Sequence, residues 1–427
     1  MLVWFRLLLS SLVQSNLKLN TSTSSPPDNV LDKALSPSNI LLLGLTYFLY
    51  FGHVGVIIPY LGVFLDGRGF TSQQIGELFA IITLARILGP NLWSYLADKV
   101  GKNLLMLRVG ALLSCVSTCL AYLGNDFWLI TAALSGMMIF VSAILPQIEV
   151  VTMDCVQGDP HRYSRLRMWG SLGFIAFTVA MGAILDLTST EMVLYGTTSI
   201  LFAVFLSTLA IRSVQVDTHA TSQGDSSNEW QKALSLPFIC FIVASGLLQI
   251  SMGPFYSFFA LYSAELGYTG TQTGIFLALG VLAEIGIFLV AGKLIQRFGI
   301  KWLIIISMWL TSVRWLMLAH TPDTWWLLSL SQLLHAFSFG VTHAASVSFI
   351  HRFFAKRFHT QGQALYVSLA FGLGGAVGNY GAGLLWLDGT GAVTAFVSAA
   401  LVAMLGGIVM MFAHHSVLTS RGQSNAI

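Results

Sequence analysis

The sequence predicts an all-α integral membrane protein, with twelve transmembrane helices arranged as two pseudo-symmetric six-helix bundles. Composition, the spacing of apolar runs and an internal repeat predict it. Hydrophobic residues fill 55% of the 427 positions and charged residues only 9%, against roughly a quarter charged in a soluble domain. That shortage of charge excludes a water-soluble fold of this length. Crossing ~30 Å of hydrocarbon takes about 20 apolar residues. Such segments lie near 40–65, 75–96, 104–124, 127–150, 163–187, 190–212, 236–263, 272–294, 301–320, 324–350, 361–386 and 391–413. The repeat has an offset of 198 residues, at which Thr71-Ser72-Gln73-Gln74-Ile75-Gly76 meets Thr269-Gly270-Thr271-Gln272-Thr273-Gly274. The same offset brings Leu84-Ala85-Arg86-Ile87 onto Leu282-Ala283-Glu284-Ile285, and Ser94–Lys102 onto Gly292–Ile300. An ungapped offset marks two copies of one multi-helix unit.

The segments divide the chain. Residues 39–213 form the first bundle and 234–414 the second, joined by the polar stretch 214–233. Residues 1–38 and 415–427 are the tails. The first tail is expected to be disordered and cytoplasmic, or to reflect a start placed too far upstream: Met1–Val13 is too short to span, and no small-residue cleavage site follows it. Lysine and arginine set the orientation. The connections after even-numbered helices carry Lys99 and Lys102; Arg162 and Arg165; Arg212 and Lys232; Lys293, Arg297 and Lys301; and Arg352, Lys356 and Arg357. The opposite connections carry only Arg68. Both termini are therefore expected on the cytoplasmic side, and the expected location is a bacterial inner membrane. Cys115, Cys119, Cys155 and Cys240 have neither zinc spacing nor a disulfide framework, and Cys115 and Cys119 read as small core residues of one helix.

Ionisable residues at mid-depth carry the functional signal, because each costs about 2.5–3.5 kcal/mol to insert. Arg86 is twelve residues from both Gln74 and Asp98, at the centre of the second helix; Glu284 is twelve from both Gln272 and Gln296, at the centre of the eighth. Each needs a partner or a water-filled cavity. Two readings are open: a fixed ion pair that sets helix packing, or a site that moves charge. Arg314 on the ninth helix and His335 on the tenth are expected near Glu284. His53, on the first helix, reads more readily as a hydrogen-bonded packing residue than as a ligand, and His343 does so more firmly. Tyr50, Gln249, Tyr256, Tyr262 and Tyr366 mark a cavity without naming its ligand.

Asp98-Lys99-Val100-Gly101-Lys102 resembles the loop signature of the major facilitator superfamily, with Arg297-Phe298-Gly299 as its echo. Gln296 replaces the acid of the echo and Ser94 the opening glycine of the first copy. Further motifs resemble the phenylpropionate permease-like branch: Tyr47-Phe48-Leu49-Tyr50-Phe51, Pro146-Gln147-Ile148-Glu149, Arg165-Leu166-Arg167-Met168-Trp169-Gly170-Ser171, Ala283-Glu284-Ile285, Arg314-Trp315 and Gln332-Leu333-Leu334-His335. The resemblance covers roughly residues 40 to 413. It implies alternating-access transport of a small organic anion, an aromatic or short carboxylic acid, with Arg86, His53, Tyr50, Gln249, Tyr256 and Tyr366 around the substrate. Glu284, Arg314 and His335 are similar to the coupling region of the lactose permease. Ser338 and Gln249 stand where that permease has further acids, so proton carriage is expected on Glu284, released from and returned to Arg314. Asp98, Lys99, Gly101, Lys102, Glu149, Arg167, Arg297 and Gly299 are expected to form a cytoplasmic gate.

The expected partners are a small-molecule substrate, protons and the lipid bilayer, with no nucleic acid and a monomeric chain. No cofactor or metal site is expected. The sequence has no nucleotide-binding loop and no nucleophile–base set, which argues against ATP drive and against an enzyme. A proton-coupled sugar or nucleoside symporter and an uncoupled facilitator of the same fold are the alternatives.

Overall fold

A computed structural model describes residues 36–100, 103–157, 159–212 and 232–414. They form twelve helical rods. The first six are α1 (Pro37–Gly67), α2 (Ser72–Val100), α3 (Asn103–Cys119), α4 (Phe127–Cys155), α5 (Pro160–Leu187) and α6 (Met192–Ala210). In the second half α7 is interrupted at Met252 (Leu236–Ser251, then Gly253–Glu265), followed by α8 (Gly270–Phe298) and α9 (Ile300–His320). α10 (Trp325–Leu333, then Thr342–Phe353) and α11 (His359–Tyr366, then Gly375–Trp386) each contain a π-helical segment, Ala336–Val341 and Val367–Gly374; α12 is Ala392–Met411. The repeat survives in the architecture: α2 and α8, like α4 and α10, begin 198 positions apart. The apolar runs set the membrane segments, while the helices continue a turn or more beyond them where water and caps satisfy their ends.

The ends follow local chemistry. Ser36, Asp126 and Asp159 accept backbone N–H groups at the starts of α1, α4 and α5, with proline opening α1 and α5. Thr269 and Gln272 form a reciprocal capping box on α8. Gly299 joins α8 to α9 at φ 76°, in the left-handed region that favours glycine. Ten of the rods are long and apolar enough to cross a membrane on their own. α2 and α11 are not among these ten: α2 carries Arg86 at its centre, and α11 is glycine-rich and broken by its π segment.

Within the first half α1 packs on α5 and α6, and α4 on α2 and α3; within the second, α12 packs on α7 and α9, and α8 on α10. The halves meet through α5 with α8, α2 with α11, and α1 with α7. An even number of rods puts residues 36 and 414 on one face, called here the termini face. Close contact between the halves lies toward the other, far face. There a Cβ on Gly76 would run into Gly383, one on Gly182 into the Gly270 carbonyl, and one on Gly62 into the Ser257 carbonyl. Arg68 pairs with both carboxylate oxygens of Glu191 (2.7 and 2.8 Å) and donates to the Ala121 and Gly124 carbonyls, tying three far-face connections of the first half together.

Two aspartates clasp the far face across the halves. Asp186, at the end of α5, accepts from the Gly270 and Thr271 N–H groups and from the Thr271 hydroxyl (2.6 Å) at the start of α8. Asp388, just beyond α11, accepts from the Ser72 N–H (3.1 Å) and hydroxyl (2.6 Å) at the start of α2. Each carboxylate from one half thus caps the positive end of a helix in the other. Leu387 and Asp388 both hold positive φ, 48° and 50°, a costly conformation for leucine that persists because surrounding contacts fix it. Cys115 is buried as expected of a core residue, but Cys119 is exposed. Cys119 is the last residue of α3, where the helix gives way to a 3-10 turn.

A cap of this kind contributes ~1 kcal/mol, against the few kcal/mol that separate alternate states. Asp186→Ala with Asp388→Ala is therefore expected to loosen the far face, read as a longer, broader distance distribution between spin labels at Gln73 and Thr390. An unchanged distribution would contradict the clasp. The hydrogen bonds from Ser72 hold the Asp388 carboxyl below its ordinary pKa. Its contribution is thus complete above the ordinary value of about 4 and is lost only as pH falls further, so the Asp388 clasp itself does not weaken between pH 5 and 8.

Candidate substrate and proton site

Arg314, His335 and Glu284 form a chain with the histidine in the middle. Arg314 Nη1 lies 3.1 Å from His335 Nδ1, and His335 Nε2 lies 3.8 Å from Glu284 Oε2. Guanidinium only donates hydrogen bonds and stays charged. His335 Nδ1 must therefore accept, which leaves the proton of the neutral ring on Nε2, aimed at Glu284. The expected direct pair of Glu284 with Arg314 is corrected here: the imidazole fills the space between them. α10 places His335 facing α9 and α8 together, with its π segment beginning directly after the histidine. Ser338, at the position compared above with a further acid, accepts a hydrogen bond from the Thr311 hydroxyl (2.9 Å).

Arg314 is fully buried, and among the described residues it has no carboxylate within ion-pair distance. Burial of an ion costs several kcal/mol. The guanidinium stacks on Phe255 (4.3 Å) and Trp315 (4.5 Å) and donates to Gln332 Oε1 (3.3 Å) as well as to His335. Desolvated cation–π contacts are worth about 2 kcal/mol each and charged hydrogen bonds about 1.5–3, enough to balance the burial. Its Nε has no partner.

Arg86 behaves oppositely. It sits fourteen residues into α2, as Glu284 does in α8, yet its side chain is exposed. Its charge acts on the Tyr50 and Tyr256 hydroxyls, one from each half. Arg86 thus lies within electrostatic reach of both halves. Arg167 lies 3.9 Å from Glu149, covers the Phe51 ring at 4.0 Å, and its field reaches Glu284. The helix geometry agrees. α5 and α8 run antiparallel and touch where Gly274 meets Thr178. Arg167 is eleven residues and Glu284 ten residues from that contact toward the termini face, about 15 Å in each case. Tyr163 also donates to Glu149 (3.2 Å). The Glu149–Arg167 pair joins α4 to α5 inside the first half and does not bridge the two halves.

The remaining sequence candidates are dispersed. His53 is 1% exposed and neither ring nitrogen has a partner, so the expected hydrogen-bonded histidine is corrected to an enclosed, unpaired one. α1 meets α5 nearby, through Gly52 and Gly55. Gln249 is buried in the last turn before the break in α7. Tyr366 is buried against Phe241 and Phe371 (5.5 and 5.3 Å), and His343 stacks on Phe339 (5.7 Å). Of the loop candidates, Lys99 is exposed, Arg297 lies 5.5 Å from the Phe298 ring and Gly299 turns the chain. The Asp98 side chain, Gly101 and Lys102 lie outside the described residues.

Sequence reasoning missed three groups. Asn379 links the halves, receiving from Ser257 and donating to Thr83 (both 3.1 Å). Asp186 and Asp388 form the far-face clasps. The aspartates did carry a signal: an acid at a helix C-terminus opposes the helix dipole and so calls for an outside partner.

The chain matches the MFS_1 like family over residues 40–398. It is 28% identical to the "Probable 3-phenylpropionic acid transporter" of Escherichia coli (strain K12) over 349 residues, covering 81% of this chain and 90% of the relative. It is 27% identical to the maltose permease of Geobacillus stearothermophilus over 381 residues, covering 86% and 92%. Among solved structures, the nucleoside transporter NupG superposes with a TM-score of 0.78 at 18% identity, covering 87% of this chain and 98% of that one. The D-xylose-proton symporter superposes at 0.66 with 13% identity, covering 88% and 98%.

The chain of contacts fixes an expected tautomer. In protein carrying ¹⁵N-labelled histidine at neutral pH, the His335 Nδ1 resonance should be that of an unprotonated nitrogen, and Arg314→Gln should release the ring to a mixture. A protonated Nδ1 in the unmodified protein would overturn the assignment.

Proposed function

Because the chain belongs to the MFS_1 like family of major facilitator transporters, and is a multi-pass membrane protein of that fold, we propose that it carries a small organic anion together with a proton by alternating access. The observation that carries this reading is Arg86, a mid-membrane arginine that is exposed rather than buried. Such a residue faces water, not lipid, and a permanent cation in a water-filled cavity selects for negative charge. The acid-transporting relative supports the same substrate class. The lysine and arginine asymmetry supports cytoplasmic termini in a bacterial inner membrane, and the open termini face is then the inward one. Residues 39–213 and 234–414 are the moving halves, and 214–233 is their tether.

Proton and anion help each other through the charge of the cavity. Arg86 and Arg167 contribute two positive charges, and Glu149 and Glu284 two negative ones when both are ionised. A proton on Glu284 leaves one uncancelled positive charge beside the substrate. Anion binding thus favours the protonated glutamate, and release of either favours release of the other. His335 supports the exchange because its tautomer, held by Arg314, presents Nε2–H to the carboxylate. Arg167 then has two acids to answer, Glu149 in its own half and Glu284 across the cavity. Loss of the proton restores attraction between Arg167 and Glu284, drawing α5 and α8 together on the termini face, where Glu149, Arg167, Asp98, Lys99, Gly101, Lys102, Arg297 and Gly299 form the inner gate.

Proteoliposome uptake with an imposed proton gradient tests the reading. Arg86→Leu should weaken anion transport about 10–100-fold, the loss of one charged contact. Glu284→Gln should stop accumulation while leaving anion exchange intact, because glutamine mimics the protonated acid. Unchanged anion uptake by Arg86→Leu, or continued accumulation by Glu284→Gln, would refute the corresponding role. Uptake confined to neutral sugars or nucleosides would favour that alternative, to which the maltose permease relative points.

A further inference from the structure

We propose that a recess between the halves, bounded by α1 and α5 on one side and α7, α8 and α10 on the other, receives the apolar body of the substrate, an aryl group or one of similar size carried on a carboxylate, and that Gly280 sets the size admitted. The inference rests on the anion-transport reading and adds where the rest of the molecule goes. The recess is a cavity of ≈ 60 Å³ walled by Phe174, Phe255, Tyr256 and Phe259, with Gly280 on α8 and the polar pair Gln332 and His335 on α10. Phe174, Tyr256 and His335 are each only partly buried, so the recess is open to one side. Tyr256 is one of the two tyrosines that the Arg86 charge reaches, so the proposed carboxylate site and the aromatic walls serve one ligand.

The polar end of the recess argues for an apolar occupant. Gln332 Oε1 already accepts from Arg314, its Nε2 already donates to Ser331 (3.0 Å), and His335 Nδ1 already faces Arg314. The polar groups left are the Tyr256 hydroxyl, the second amide N–H of Gln332 and His335 Nε2; a sugar or nucleoside has more hydroxyl groups than these can meet, and each one buried without a partner weakens binding. Aromatic walls instead favour another ring, edge-to-face or offset. The volume is less than half of the ~150 Å³ that encloses a whole benzene, so a ring enters edge-first with its remainder in the central cavity.

Packing does not require glycine at 280. A Cβ there would meet the Gln332 carbonyl and His335 side chain at 3.5 Å, ordinary contact distance, whereas one at Gly270 or Gly274 would collide with backbone. Alanine at 280 is accommodated and is the better helix former. What glycine leaves at this point is space.

The test compares 3-phenylpropionate with propionate, which differ only by the ring, in proteoliposomes bearing the full chain. The ratio of their KM values is expected to rise about tenfold for Gly280→Ala, the effect of one methyl group in an apolar pocket, and further for Gly280→Leu. Gly286→Ala, the same change on the same helix where nothing lies within 4 Å, should leave the ratio alone. An unchanged ratio in both Gly280 variants overturns the recess while the anion-transport reading stands, as does an unmodified protein that carries propionate but not the aryl acid. If the unmodified protein carries neither acid, the underlying reading fails and this inference with it.

Discussion

A charge in the middle of a bilayer must be met by another group or by water, and this constraint arranges the interior of the molecule. Arg314 takes the first course: it is sealed between Phe255 and Trp315 and spends its donors on His335 and Gln332. Arg86 takes the second and is exposed at the same pseudo-symmetric position as Glu284. Glu284 lies between the two courses, with His335 at 3.8 Å and the field of Arg167 across the cavity. In the proposed mechanism one arginine holds a histidine in place, another meets the ligand, and the acid is the group whose charge changes.

The far face shows how the halves are held in this conformation. Glycines let α2 meet α11 and α5 meet α8 backbone to backbone. Asp186 and Asp388 then cap helix starts in the opposite half. The caps themselves are short and polar, and water can take their place when they part. The two clasps sit at related places in the two halves, as expected of a unit repeated 198 residues on, although the two aspartates are not themselves repeat partners. Charge in the cavity and caps on the far face together offer a physical basis for two states of similar free energy.

Much of the fold was legible because the membrane imposes one length and one polarity on every crossing segment. The twelve expected segments all fall on helices, and the repeat offset recurs in the helix starts. The site was legible only in part. Sequence position fixes depth, so Arg86 and Glu284 could be placed at mid-membrane, His335 slightly outside the middle and Arg314 in the outer third. Depth does not fix the direction in which a side chain points. His335 therefore stands between Glu284 and Arg314 where a direct pair was expected, and His53 is enclosed without partners among the described residues. The far-face aspartates escaped notice because their partners are backbone N–H groups, which carry no mark in the sequence.

The central claim is that substrate and proton bind the same state of the cavity through the charge of Glu284. Proton exchange on substrate binding tests it most directly, measured with purified protein in lightly buffered solution at neutral pH. The account predicts that adding 3-phenylpropionate draws protons from the medium, and that Glu284→Gln binds the acid with no such uptake. Binding by the unmodified protein without proton uptake, or equal uptake by the glutamine variant, would contradict it.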